Sequence, residues 1–132
     1  MQYNYIIQGS ILALLAVVLG AFAAHALEEV LSPSSLDSFK TGVRYQFYHA
    51  FALILCGVIA EKITNAWIRR SASLFLIGTI LFSGSIYALT LRSVLGMDFL
   101  RMLGPVTPIG GSLLIIGWSF FLLAALNQKR NG

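Results

Sequence analysis

The chain has 132 residues, of which 58% are hydrophobic and 11% charged, and its net charge is +4. That length supports one domain, and a soluble domain of that size could not hide so much apolar surface in a single core. The Lys and Arg residues stand at the ends of apolar runs with no interleaved aromatics, which excludes a nucleic-acid-binding face.

Residues 5–27, 72–91 and 106–126 contain no Asp, Glu, Lys or Arg. At a rise of about 1.5 Å per residue, about 20 such residues cross a hydrocarbon core of roughly 30 Å. A shorter uncharged run ends near Ala60. The predicted spans are therefore 5–27, 43–61, 72–92 and 106–126. The fold class is an all-α membrane protein, four transmembrane helices in a compact bundle. The first run is longer than a signal-peptide core, and residues 1–8 carry no Lys or Arg, so it reads as a retained span.

In the first span Gly9, Ala13, Ala16, Gly20 and Ala24 recur at steps of three or four and predict a close-packing face; His25 ends the run. Pro33, Ser34 and Ser35 follow as a stop-and-restart signal, with Asp37 three residues after Ser34. Leu36, Phe39, Val43 and Phe47 then repeat at helical spacing. They predict an amphipathic interfacial helix before, or continuous with, the second span, with Gly42 as a bend between the two. The second span opens on Arg44, Tyr45, Gln46, Tyr48 and His49. Its Ala52, Cys56 and Ala60 offer another edge for close approach, and Cys56, the lone cysteine, reads as an inert packing residue.

Glu61, Lys62, Arg69 and Arg70 belong to a short connection before the third span, which carries Ser83, Gly84, Ser85 and Tyr87. Gly96 and Asp98 supply turn chemistry. Thr107 and Pro108 read as N-cap and first residue of the fourth span, with Gly110 and Gly111 in its first turns. Lys62, Arg69, Arg70, Lys129 and Arg130 outnumber Lys40, Arg44, Arg92 and Arg101 on the other side by five to four. That bias predicts cytoplasmic N- and C-termini. Gly-Ser-Ile at residue 9, Gly-Ser-Ile at residue 84 and Gly-Ser-Leu at residue 111 form only a faint repeat.

Polar side chains inside spans need partners, so His25, Arg44, Tyr45, Gln46, Tyr48, His49, Ser83, Ser85, Tyr87 and Thr107 are expected to converge between helices in one half of the bundle. Two readings of that cluster stand: interhelical hydrogen bonds that hold the helices, or a seat for a ligand, lipid or ion. The glycines Gly20, Gly84, Gly110 and Gly111, with Pro108, are candidates for packing or for shaping the fourth-span entry. Ser83 and Ser85 have no base in any span to activate them, so catalysis is not expected.

Four blocks carry a resemblance. They are residues 20–27 (Gly-Ala-Phe-Ala-Ala-His-Ala-Leu), 44–50 (Arg-Tyr-Gln-Phe-Tyr-His-Ala), 81–87 (Leu-Phe-Ser-Gly-Ser-Ile-Tyr), and Thr107-Pro108-Ile109-Gly110-Gly111 with Gly117-Trp118. In order and spacing they resemble the small bacterial membrane proteins of domain-of-unknown-function family 423, over nearly the whole chain. The resemblance implies a four-span inner-membrane protein with no assigned activity. It marks His25, His49 and the fourth-span entry as signature positions without a role. Ala23 departs from the pattern, standing where the family shows Gly.

The function expected is that of a non-enzymatic bundle binding a small ligand, a lipid or a partner membrane protein, alone or as a homo-oligomer, with no resident cofactor or metal. A small transporter or channel is the alternative, although exporters of this size use a membrane-buried acid that no span here contains. A bis-histidine haem or metal protein using His25 and His49 is the second alternative.

Overall fold

The computed structural model describes residues 2–62 and 65–131. Four long helices are present: α1 (Gln2–Ala24), α2 (Pro33–Ile59), α3 (Ala66–Leu95) and α4 (Val106–Asn131), with a short 3-10 segment Asp98–Leu103 before the last. All four are long and apolar enough to cross a membrane. No strand occurs among the described residues.

Local chemistry sets the helix ends. The oxygen of Ser32 accepts from the amide of Ser35 and Pro33 occupies the first turn, so α2 is capped two residues earlier than the Ser34–Asp37 pattern predicts. From there α2 runs 27 residues without a break. The interfacial helix and the second span are thus continuous, and Gly42 is no bend. Its carbonyl accepts from Ser83 Oγ at 2.7 Å, and a Cβ at this position would meet the Tyr87 ring at 2.8 Å.

Asn65 caps α3 by accepting from the amide of Ile68 at 3.1 Å, so the helix starts six residues before the predicted 72. Arg69 and Arg70 consequently lie on its first turns rather than in a loop. Its end is set by Gly96, whose φ of 66° is a conformation that side chains disfavour. Helix α1 stops at Ala24 rather than 27, because Leu27 N–H bonds back to Phe22 and Leu31 turns inward to bury against Ala23, Leu36 and Phe39.

The helices run antiparallel in chain order. Helix α1 lies along α2, α2 along α3 and α3 along α4, while α1 touches α3 only slightly. The buried apolar residues fall into two clusters along these helix–helix seams. One gathers Leu53, Cys56, Ile68, Phe75 and Leu114, the other Leu36 and Phe39. Ile11, Leu14, Val17, Ile80, Ile115 and Leu122 point outward, as a surface bathed in lipid requires.

Close contact replaces bulk in these seams, since lipid tails are as apolar as Leu and dispersion between helices must come from proximity. On α1 the buried small residues are Gly9, Ala16 and Ala23, a seven-residue step, and Ala24 of the predicted face is exposed. Gly110 seats α4 on α3 so closely that a Cβ there would collide with the backbone of Phe82. Gly20 and Gly111 have room for a Cβ, and Gly84 faces outward with nothing within 4 Å. The packing role expected of Gly84 therefore falls away.

Candidate functional site

The polar side chains expected to form one cluster are divided among three helix–helix seams. In the first, Gln46 lies buried on α2 between two neighbours. Its amide nitrogen donates to the carbonyl of Leu12 on α1 at 2.8 Å, and its amide oxygen accepts from Tyr87 on α3 at 2.7 Å. One turn earlier on each helix, Ser83 donates to Gly42. One glutamine thus ties three helices, and Phe39 stacks on Tyr87 with ring centroids 4.8 Å apart to seal the network from below.

The second seam centres on His49, which is 4% exposed. Its Nδ1 stands 2.7 Å from the Tyr45 carbonyl, and its Nε2 stands 3.1 Å from Trp118 Nε1 on α4. A carbonyl only accepts and an indole N–H only donates, so the ring is neutral with its proton on Nδ1. Both nitrogens are then engaged, and neither lone pair is free for a metal. Phe75 packs against both rings, at 5.6 Å from His49 and 4.8 Å from Trp118. Trp118, which the sequence placed only in the fourth block and not among the polar candidates, is the hydrogen-bond partner of His49. An indole in an apolar helix gives no sign of which imidazole it will meet.

In the third seam Ser85 donates to the Phe82 carbonyl at 3.0 Å and accepts from Thr107 at 2.7 Å, linking α3 to the start of α4. Thr107 therefore serves the neighbouring helix and not the N-cap, and α4 begins before it at Val106. Toward the other end, Ser71 donates to the Gly117 carbonyl and Asn65 to that of Ala124, two further α3–α4 ties absent from the sequence reading. Thr79 Oγ1 is the buried side-chain polar atom left without a partner among the described residues.

The remaining candidates lie apart. His25 is exposed in the turn after α1. Gly20 packs opposite Val43, and His25 and His49 lie in opposite directions from that level. At about 1.5 Å per residue the two histidines are roughly 15 Å apart along the axis. They form no facing pair, which removes the geometry a bis-histidine haem needs. Arg44 is exposed and reaches Thr41 at 2.9 Å and Asp37 at 3.9 Å. Tyr45 leans on Phe82 with centroids 4.9 Å apart, while Tyr48 projects outward.

Two open clefts flank the first turns of α2. One, of about 350 Å³, lies between α1 and α2 and is lined by Gly20, Ala23, Asp37, Lys40 and Arg44. The other, of about 290 Å³, is lined by Ser34, Ser35 and Ser38 of α2, Thr90 of α3 and Thr107 of α4. In the second, Ser38 and Thr90 spend their protons on carbonyls of their own helices, Ser34 and Ile86 respectively. Their oxygens keep acceptor capacity, Ser35 accepts from Ser32 and keeps its own proton, and Ile86 and Leu89 complete the lining, so the cleft offers both acceptors and a donor to a small polar group.

Comparison with known proteins places this architecture among relatives. A family described as "Protein of unknown function (DUF423)" matches residues 19–111. The chain is 40% identical to the UPF0382 membrane protein YwdK of Bacillus subtilis over 123 residues, 92% of this chain and 95% of that one. It is 39% identical to a UPF0382 membrane protein of Staphylococcus epidermidis over 92% of this chain and 94% of that one. Identity to the UPF0382 inner membrane protein YgdD of Escherichia coli K12 is 35%, over 88% of this chain and 84% of that one. No solved structure matches.

Proposed function

Because the chain belongs to the DUF423 family of unknown function, whose relatives are named as membrane or inner membrane proteins, we propose that it is a non-enzymatic binding bundle of the bacterial inner membrane, seating a donor-bearing lipid headgroup or small polar solute at the α2 entry. The observation that carries this reading is the hydroxyl-bearing cleft of Ser34, Ser35, Ser38, Thr90 and Thr107 at the end of the bundle, with Ile86 and Leu89 beside them. The in-span polar groups support it by contrast. Gln46, His49, Ser83 and Tyr87 are engaged with one another or with backbone, which suits a scaffold that holds the cleft rather than a reacting centre. A transport path between α2 and α3 would have to displace Phe39, Leu53 and Phe75, which are fully buried.

The orientation proposed puts the starts of α1 and α3 and the ends of α2 and α4 in the cytoplasm. Lys62, Arg69, Arg70, Lys129 and Arg130 gather at that face, as the positive-inside rule asks. The cleft then opens on the outer side.

A headgroup with N–H donors distinguishes the reading from mere surface wetting. Reconstituted in equal phosphatidylethanolamine and phosphatidylcholine, the protein is expected to retain the former preferentially by native mass spectrometry, since the choline headgroup has no N–H. Ser38→Ala with Thr90→Val should erase the preference while helicity stays unchanged. Equal retention of both lipids by the unaltered protein would overturn the proposal, and proton- or substrate-driven flux in liposomes would replace it with transport.

A further inference from the structure

At the end of the bundle away from that cleft, the start of α3 and the last turns of α4 make a feature that the reading above does not use. Trp67 of α3 packs against Phe120 of α4 with ring centroids 5.1 Å apart and the planes tilted by 60°, and the Arg70 guanidinium lies 5.1 Å above the Trp67 ring. A cleft opens beside each of these aromatics. One, of about 360 Å³, joins Trp67 to Lys129 and Arg130 over a floor of Leu123 and Leu126. The other, of about 400 Å³, joins Phe120 to Arg69 and Arg70 over Leu74.

Each cleft has the same composition: two cations at its rim, an aromatic wall and an aliphatic floor. None of the four cations has a carboxylate partner among the described residues, where the ion pair formed is Arg44 with Asp37 at the opposite end. The one acid at this end, Glu61, accepts a hydrogen bond from Gln2. All four cations are exposed at the rims of these clefts; cations without a carboxylate partner attract anions, and a free phosphate would leave the apolar floor unused. A headgroup phosphate with acyl chains attached uses both.

We propose that the α3–α4 end is an anionic-phospholipid site, with phosphate at Arg69 and Arg70 in one cleft and at Lys129 and Arg130 in the other, and acyl chain laid along Leu74 and Leu123. The tilted Trp67–Phe120 pair divides the two seats. Two singly charged phospholipids fill the site, one in each cleft. The site has a structure beyond net charge, because each pair of cations stands beside an aromatic ring and an aliphatic floor.

The test uses the full chain in nanodiscs of equimolar phosphatidylglycerol and phosphatidylcholine, with retained lipid read by native mass spectrometry after delipidation. The unaltered protein is expected to retain phosphatidylglycerol about tenfold over phosphatidylcholine, falling about threefold for Arg69→Gln/Arg70→Gln, and about threefold again when Lys129→Gln/Arg130→Gln is added. Arg92→Gln/Arg101→Gln removes the same charge from the opposite end and should leave the preference intact, with millimolar inorganic phosphate failing to displace the lipid. Equal loss in the control pair would show a net-charge effect and overturn the site. So would displacement by phosphate, or equal retention of both lipids. Since the cleft variants of the preceding section lie at the other end, either proposal can fail while the other stands.

Discussion

Gln46 shows how much one side chain can do where water is absent. It satisfies its own amide, the Tyr87 hydroxyl and a lone pair of Leu12 across three helices, and its loss would leave Tyr87 a half-buried donor without this acceptor. Gln46→Leu is expected to destabilise the protein by about 1–3 kcal/mol in reversible unfolding from mild detergent into a denaturing one. A double-mutant cycle with Tyr87→Phe should show a coupling of about 0.6–1.7 kcal/mol, and additive effects would mean the bond is not made. Thr79 is the converse case, a buried hydroxyl that finds no partner. Thr79→Val keeps the shape and removes the unpaired oxygen, so the same measurement should show an unchanged or raised stability, by up to about 1 kcal/mol. A clear loss would mean that the hydroxyl holds a bond after all. The sequence singled out Gln46, His49 and Tyr87 because polar groups in lipid need partners. It could not say which partners, since Leu12 offers only a backbone carbonyl and Trp118 only an indole edge.

Helices rather than residues decide the second level. The apolar, charge-free runs made all four spans readable, as did the amphipathic spacing that announced the first turns of α2. Boundaries were less legible where a cap outbid composition. Ser32 and Asn65 start α2 and α3 earlier than hydropathy alone implies, because a side-chain oxygen can satisfy orphan amides at any polar position near the water. Gly42 was read as a bend for want of knowledge that Tyr87 would lie against it. The seams make a sharp contrast testable. Gly110→Ala is expected to separate α4 from α3 and to cost about 2 kcal/mol or more, because the added methyl meets backbone and has nowhere to go. Gly84→Ala, with open space at its Cβ and a helix interior that favours Ala over Gly by roughly 0.5–1 kcal/mol, should be neutral or stabilising. Thermal unfolding of the two variants side by side checks the pair. If both were equally harmful, the α3–α4 register described here would be wrong.

At the scale of the whole molecule, a row of antiparallel helices leaves wide outward faces for lipid and only thin seams for protein. Polar residues that are rare in membranes are therefore placed at the seams, and the charged residues collect at the two ends. The ends differ chemically. One carries hydroxyls beside Asp37 and Arg44; the other carries Arg69, Arg70, Lys129 and Arg130 around Trp67. That difference was only half visible from the sequence. Counting cations showed a slight bias between the sides, but placing Arg69 and Arg70 in a loop hid that they flank one face of α3 beside α4. That the chain crosses the membrane four times is the claim on which the whole account rests. It is measured by replacing the lone Cys56 with Ala, introducing one cysteine at Asn4, Glu29 or Gln128, and labelling each from either side with a membrane-impermeant maleimide. Asn4 and Gln128 should label only from the cytoplasmic side and Glu29 only from the outside; labelling of Asn4 and Gln128 from opposite sides would contradict four antiparallel crossings.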